Sequence, residues 1–192
     1  MEQEYTPTKL PEIIVFAGPN GSGKSTITKM ANIIEPYINA DDIKRTIHCS
    51  DLEAAQKAEY LRNEAIDTLK SFTFETVLST ERNLILLKKA KEKGFFIRCI
   101  YVLTADPAIN ATRVFVRKSA GGHDVPKEKI FSRYYKALKL IPELVQICDI
   151  LHIYDNSDTP FRIFKKRKDK FFYWENTFWS LDAIHKLVNC SQ

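Results

Sequence analysis

The chain has 192 residues, of which 44% are hydrophobic and 28% charged, with a formal net charge of +5. This length suits one domain with a real apolar core rather than two, and no segment approaches the ~18 consecutive apolar residues that a membrane-spanning helix needs. The positive excess suits an anionic ligand and is too small to argue for nucleic acid on its own.

After the polar leader MEQEYTPTKL, which lacks the apolar centre of a signal peptide, residues 11–18 (PEIIVFAG) read as a short buried strand. A glycine-rich loop follows, and STITKMANII continues as a helix. PYIN reads as a second strand, with Asp41 and Asp42 directly behind it. Ser50 to Glu53 form a capping box, S-D-L-E, at the start of a helix with Ala55, Ala58, Leu61, Ala65 and Leu69 on one face. SFTFETVLS is a third strand. RNLILLKKAKEKG is a helix closed by Gly94. FFIRCIYVL is a fourth strand, and Asp106-Pro107 opens a helix through ATRVFVRK to Gly121-Gly122. A helical stretch interrupted at Pro142 leads to ICDILHIYDNS, a fifth strand ending in a turn. The tail, FRIFKKRKDKFFYWEN, reads as a β-hairpin turning near Lys168-Asp169, and a short helix over WSLDAIHKLV ends the chain. Strands alternating with helices argue for a parallel α/β sheet covered on both faces.

The cysteines, Cys49, Cys99, Cys148 and Cys190, are widely spaced and contain no CxxC pair. They are expected to be reduced structural residues, and the protein to be cytoplasmic.

Gly18-Pro19-Asn20-Gly21-Ser22-Gly23-Lys24-Ser25 fits GxxxxGK[ST] at every fixed position, with a strand before it and a helix behind. Glycines let the backbone turn its N–H groups onto phosphate oxygens. The helix N-terminus adds its positive end. Lys24 is expected to reach the β- and γ-phosphates of ATP, and Ser25 to ligand Mg²⁺. The binding set extends through Thr26. The sequence has no LSGGQ-like segment, no apolar run closed by Asp-Glu and no NKxD-like guanine reader. A small kinase is therefore favoured over a transporter ATPase, a motor or a switch GTPase.

YINADDIKR, FTFETVLST, RVFVRKSAGGHDVP, IFSRYY and IYDNS, in this order behind the loop, resemble the zeta-toxin-like family of P-loop kinases. The likeness is closer to a bacterial branch often labelled "predicted ABC-type ATPase", a label that the missing signature segment contradicts. The resemblance implies a three-layer P-loop fold with parallel strand order 2-3-1-4-5, and ATP and Mg²⁺ as cofactors. It implies transfer of the γ-phosphate to a hydroxyl, which in characterised zeta toxins belongs to UDP-N-acetylglucosamine. Asp41 then looks like the general base. Glu75 looks like a substrate-binding or metal-water ligand, with Thr76 beside it. Arg117 and Arg133 look like the clamp on the γ-phosphate. The segment Thr76-Val77-Leu78-Ser79-Thr80 departs from the toxins' pattern, and their sugar-binding residues have no clear counterpart.

Ordinary structural roles stand beside these readings. Asp41 or Asp42 can cap the helix that follows. Arg113 shares a face with Arg117 and is the weaker candidate. His123 either touches phosphate or substrate or, as favoured, orders a turn, in a Gly121-Gly122 segment that looks like the hinge of a lid spanning about residues 113–140. Asp155 and Asn156 lie either near the adenine or simply in a turn. The aromatics of the tail, about residues 161–192, form a hydrophobic face, with the basic run Lys165 to Lys170 solvated. The whole chain is expected to be one domain. Its partners are a small-molecule phosphate acceptor and, as a further expectation, a separately encoded antitoxin-like protein. The alternatives are a kinase of nucleosides or nucleic-acid ends and a nucleotide-dependent interaction module.

Overall fold

The computed structural model describes residues 10–119 and 125–189. Five parallel strands come first: β1 (Glu12–Ala17), β2 (Tyr37–Ile38), β3 (Phe72–Thr76), β4 (Phe96–Leu103) and β5 (Ile150–Asp155). β6 (Phe161–Arg167) adds antiparallel to β5, and β7 (Lys170–Tyr173) antiparallel to β6. The order across the sheet is β2-β3-β1-β4-β5-β6-β7, so the expected 2-3-1-4-5 arrangement is present and the hairpin extends it. β1 reads as an unbroken apolar run because it is central: Ile13, Val15, Phe16 and Ala17 are completely buried.

The helices are α1 (Lys24–Thr28), α2 (Ala40–Ile47), α3 (Asp51–Asp67), α4 (Arg82–Glu92), α5 (Pro107–Ser119), α6 (Lys127–Lys139), α7 (Ile141–Ile147) and α8 (Leu181–Val188). The main core joins Val15, Phe74 and Cys99 of the sheet to Leu84 and Leu87 of α4, Leu144 of α7 and Ile184 of α8. A smaller cluster, Val114, Val125 and Ile130, holds α5 to α6. Pro142 sits in the first turn of α7, where a missing N–H costs nothing, and so separates α6 from α7. Gly94 takes φ 84° behind α4. Among the described residues no helix is long and apolar enough to cross a membrane. Cys49, Cys99 and Cys148 are free thiols.

Four expectations need correction. The helix behind the loop has five residues rather than ten. Thr26, Ile27 and Thr28 are β-branched and weak helix formers, and Thr28 turns its hydroxyl back onto the Lys24 carbonyl, 3.1 Å away. α3 buries Ala54, Ala58, Arg62, Ala65 and Ile66, whereas Ala55 and Leu69 are exposed. Leu69 lies past the helix end at φ 54°, so it does not continue the stripe. Ile147 belongs to α7, not to β5. The tail aromatics are divided: Phe164 is fully buried, while Phe161, Phe171 and Phe172 are exposed. Arg162 lies 4.6 Å from the Trp174 ring centroid and Lys165 lies 5.8 Å from that of Phe172, so cations cover part of the aromatic surface.

The capping box is present as expected. Ser50 Oγ accepts from Glu53 N at 3.2 Å, and Glu53 Oε2 accepts from Ser50 N at 2.9 Å. Ser50→Ala removes one half of it. The expected loss is about 1 kcal/mol, read as a fall in melting temperature of about 2–4 °C.

Candidate active site

The turn from β1 to α1 places the loop at the C-terminal edge of the central strand, the usual position for ligands in an open parallel sheet. Gly18 N donates to Thr76 O at 3.2 Å, which ties the loop's first residue to the end of β3. Two asparagines then hold the loop from the β4–β5 side. Asn110 of α5 donates through Nδ2 to Asn20 O at 2.8 Å, and Asn156, directly behind β5, donates to Ser22 O at 2.7 Å. Both approach so closely that only glycine fits opposite them. A Cβ on Gly21 would lie 2.4 Å from Asn110 O, and one on Gly23 would lie 2.2 Å from Asn156 Nδ2. Both glycines also have positive φ, 78° and 94°.

Lys24 is only 7% exposed. Its Nζ donates to the carbonyls of Gly18, 2.8 Å, and Pro19, 3.1 Å. Burial pushes its pKa below the ordinary lysine value, Glu75 and Asp41 draw it back up, and Arg117 adds to the lowering. Three of the residues singled out from the sequence thus act electrostatically on the loop's lysine. Asp41, Glu75, Thr76, Arg117 and Arg133 line one cleft with Ser25 and Thr26, of about 720 Å³.

Glu75 is the penultimate residue of β3, in register with Phe16 of β1. Its Oε1 accepts from Ser25 Oγ at 3.4 Å and its Oε2 from Tyr37 OH at 2.8 Å. Asn39 Nδ2 donates to the same phenol oxygen at 3.2 Å. Burial raises the Tyr37 pKa, so the phenol stays protonated and donating. Asn39, not either aspartate, caps α2: its Oδ1 accepts from Asp41 N at 2.8 Å. Neither aspartate is therefore used as the cap, and Asp42 pairs instead with Arg45. Thr76 Oγ1 accepts from Leu78 N and Asn83 Nδ2, so this hydroxyl shapes the turn behind β3 as well as lining the cleft.

The two arginines of the α5 face separate in role. Arg113 donates to Asn156 O at 2.7 Å and Ser157 O at 3.1 Å, which fixes the segment that holds the loop. Asp155 is buried, accepting from Ser157 and from Asn176 Nδ2 at 2.8 Å. Asp155 and Asn156 are therefore braces. Gly121, Gly122 and His123 lie outside the described residues, as does Cys190.

The sequence reading missed four residues of this arrangement. Tyr37 lies on β2 and Asn39, two positions on, caps α2; an Asn just ahead of a helix start was the available signal for the cap. Asn110 and Arg62 each interrupt an otherwise small or apolar helical stripe, and that polar interruption was the available signal.

Such a loop on such a sheet, with acid and base residues gathered at its mouth, defines a P-loop kinase. The chain belongs to the zeta toxin family, whose model matches residues 1–169. A protein of Haemophilus influenzae, itself uncharacterized, is 32% identical over 127 residues, 63% of this chain and 91% of its own. The structure of the PezAT chromosomal toxin-antitoxin system of Streptococcus pneumoniae contains a chain that superposes at a TM-score of 0.63 with 17% identity, covering 99% of this chain and 84% of that one. The AvrRxo1-ORF1:AvrRxo1-ORF2 structure with ATP gives 0.72 with 14% identity, covering 95% of this chain and 64% of that one. At these identities the two structures show a shared fold.

Replacing Asn156 with Ala leaves the Ser22 carbonyl without its donor and frees the loop. The expected loss of ATP affinity is about tenfold, measured by calorimetry, with the melting temperature of the nucleotide-free protein falling by only a few degrees, on the order of 1 kcal/mol.

Proposed function

We propose that this kinase transfers the γ-phosphate of ATP to a hydroxyl of a small molecule bound between the loop, α2 and α3, with Asp41 as general base. The observation that carries the reading is the gathering of Asp41, Glu75 and Arg117 around the buried ammonium of Lys24. The Asp41 carboxylate accepts the proton of the acceptor hydroxyl. The hydroxyl oxygen bonds to the γ-phosphorus as the bond to the β–γ bridging oxygen breaks, and ADP leaves. Lys24 with Arg117 and Arg133 disperses the charge on the transferring phosphoryl oxygens. Gly18 to Thr26 hold the nucleotide, with the N–H groups of the loop directed at its phosphates.

Mg²⁺ fits the donors present. The Ser25 hydroxyl and the Glu75 carboxylate are hard oxygen groups in contact at the mouth of the loop, and Mg²⁺ takes few protein ligands and keeps several waters. It would supply neutralisation of the phosphate charge when bound with ATP. Ser25 would hold it directly and Glu75 through a water or the substrate. Thr76 and Glu75 border the acceptor. UDP-N-acetylglucosamine is the first acceptor to try, on the family resemblance. A separately encoded antitoxin-like partner belongs to the same proposal, supported by the toxin-antitoxin system among the structural relatives. So does a cytoplasmic location, where ATP is available.

The decisive variant is Asp41→Asn. Loss of a general base lowers transfer by about 10²–10⁴-fold, while ATP affinity stays within about threefold because the base is not part of the phosphate cradle. Transfer is followed with γ-labelled ATP against UDP-N-acetylglucosamine and a panel of sugar nucleotides and nucleosides. Undiminished transfer by Asp41→Asn, or no acceptor in the panel, overturns the proposal.

A further inference from the structure

The wall of the cleft formed by α3 contains a guanidinium that meets no acceptor among the described residues. Ala54, Ala58 and Arg62 follow one another at intervals of four along one stripe of the helix. The two alanines are 1% and 0% exposed, so their small side chains leave room, and all three residues line the cleft. Arg62 is 8% exposed. Its guanidinium carbon stands 5.2 Å from the centroid of the Phe74 ring. Its Nε is buried without a partner, and among the described residues none of its donors makes a hydrogen bond or an ion pair.

The neighbouring charges do not satisfy it. Glu59 attracts Arg62, and Arg82 repels it. The Glu59 carboxylate is already engaged by Arg82, Nη1 to Oε2 at 3.3 Å. This corner therefore holds two guanidinium groups and one carboxylate, a surplus of one positive charge facing the cavity. A purely structural arginine looks different, and the same cleft supplies the comparison. Arg113 delivers two of its nitrogens to backbone carbonyls. Packing on Phe74 alone would be served as well by an apolar side chain, without the penalty of enclosing N–H donors that lack acceptors.

We propose that Arg62, aided by Arg82, binds an anionic group of the phosphate acceptor, so that the acceptor carries a phosphoryl or carboxylate group in addition to the hydroxyl presented to Asp41. A planar guanidinium fixed over an aromatic ring offers paired donors that match either anion. The idea rests on the kinase reading of this cleft. It makes Arg62 a residue that selects the substrate by its charge, and neutral sugars and unphosphorylated nucleosides are poor acceptors.

The test separates the anion site from the chemistry. The protein is saturated with a non-hydrolysable ATP analogue and Mg²⁺, so that the phosphate positions of the loop are filled, and is titrated by calorimetry with inorganic pyrophosphate and, separately, with malonate. Saturable binding of at least one of them is expected, and the tighter of the two identifies the phosphoryl or carboxylate group. Arg62→Leu, which keeps the packing on Phe74, weakens that binding by about tenfold or more and leaves the affinity for the ATP analogue unchanged. Arg62→Gln is the second variant, should leucine disturb folding. Absence of saturable binding to the wild-type protein, or equal affinity in a folded Arg62 variant, overturns the proposal. In a transfer assay with UDP-N-acetylglucosamine and free N-acetylglucosamine, Arg62→Leu raises KM for the anionic acceptor with kcat and the KM for ATP little changed. A fall in kcat with KM unchanged speaks against it. Failure of every acceptor would sink the kinase reading while the calorimetry still decides the anion site.

Discussion

An ammonium group enclosed at the bottom of a backbone loop sets the terms for the rest of this molecule. Lys24 is stripped of most of its water, and burial lowers its proton affinity. The carbonyls of Gly18 and Pro19 compensate, and both belong to the loop that the lysine serves. Glu75 and Asp41 add negative charge, and the sheet topology puts them there. β3 lies next to β1, which brings Glu75 to the loop. β2 lies next to β3, which brings the start of α2 and Asp41. The parallel order is thus the means by which residues from three separate strand ends meet around one charge.

Short polar side chains do much of the holding at the site. Asn110, Asn156 and Asn39 each fix a backbone group at the site through a single amide. Tyr37 holds the Glu75 carboxylate from the side opposite Ser25. Two arginines that line the cleft differ in what they meet among the described residues. Arg113 is spent on carbonyls of the segment after β5, whereas Arg62 is enclosed without an acceptor.

Much of the fold was legible because local signals agreed with the long-range ones. The loop motif lay between an apolar strand and a helix, the capping box marked α3, and the hairpin turned at Lys168-Asp169 as its residues suggested. The failures have physical causes. The length of α1 depended on the balance between helix propensity and the Thr28 hydroxyl, which a motif does not encode. The buried face of α3 was misplaced by centring it on Ala55, Leu61 and Leu69 rather than on Ala54 and Ile66, and so the arginine within that face was overlooked. Asp41 and Glu75 could be singled out by motif and position. Of the residues that hold them and the loop, Asn39 caps α2 locally and was legible as a cap, whereas the partners of Tyr37 and Asn110 are fixed only by the tertiary arrangement.

The brace at Asp155 and Asn156 ties the C-terminal segment to the phosphate loop. Asn156 bonds to the loop across 134 positions. Its neighbour Asp155 is buried, and one carboxylate oxygen is satisfied by the amide of Asn176, which in turn caps the approach to α8 through Phe178 and Trp179. The turn ahead of α8 thus reaches back to the phosphate loop through two amides, Asn176 on Asp155 and Asn156 on Ser22. Without the Asn176 amide, a buried carboxylate oxygen next to the residue that holds the loop is short of a donor. A change in a segment that does not line the cleft is therefore felt at the loop.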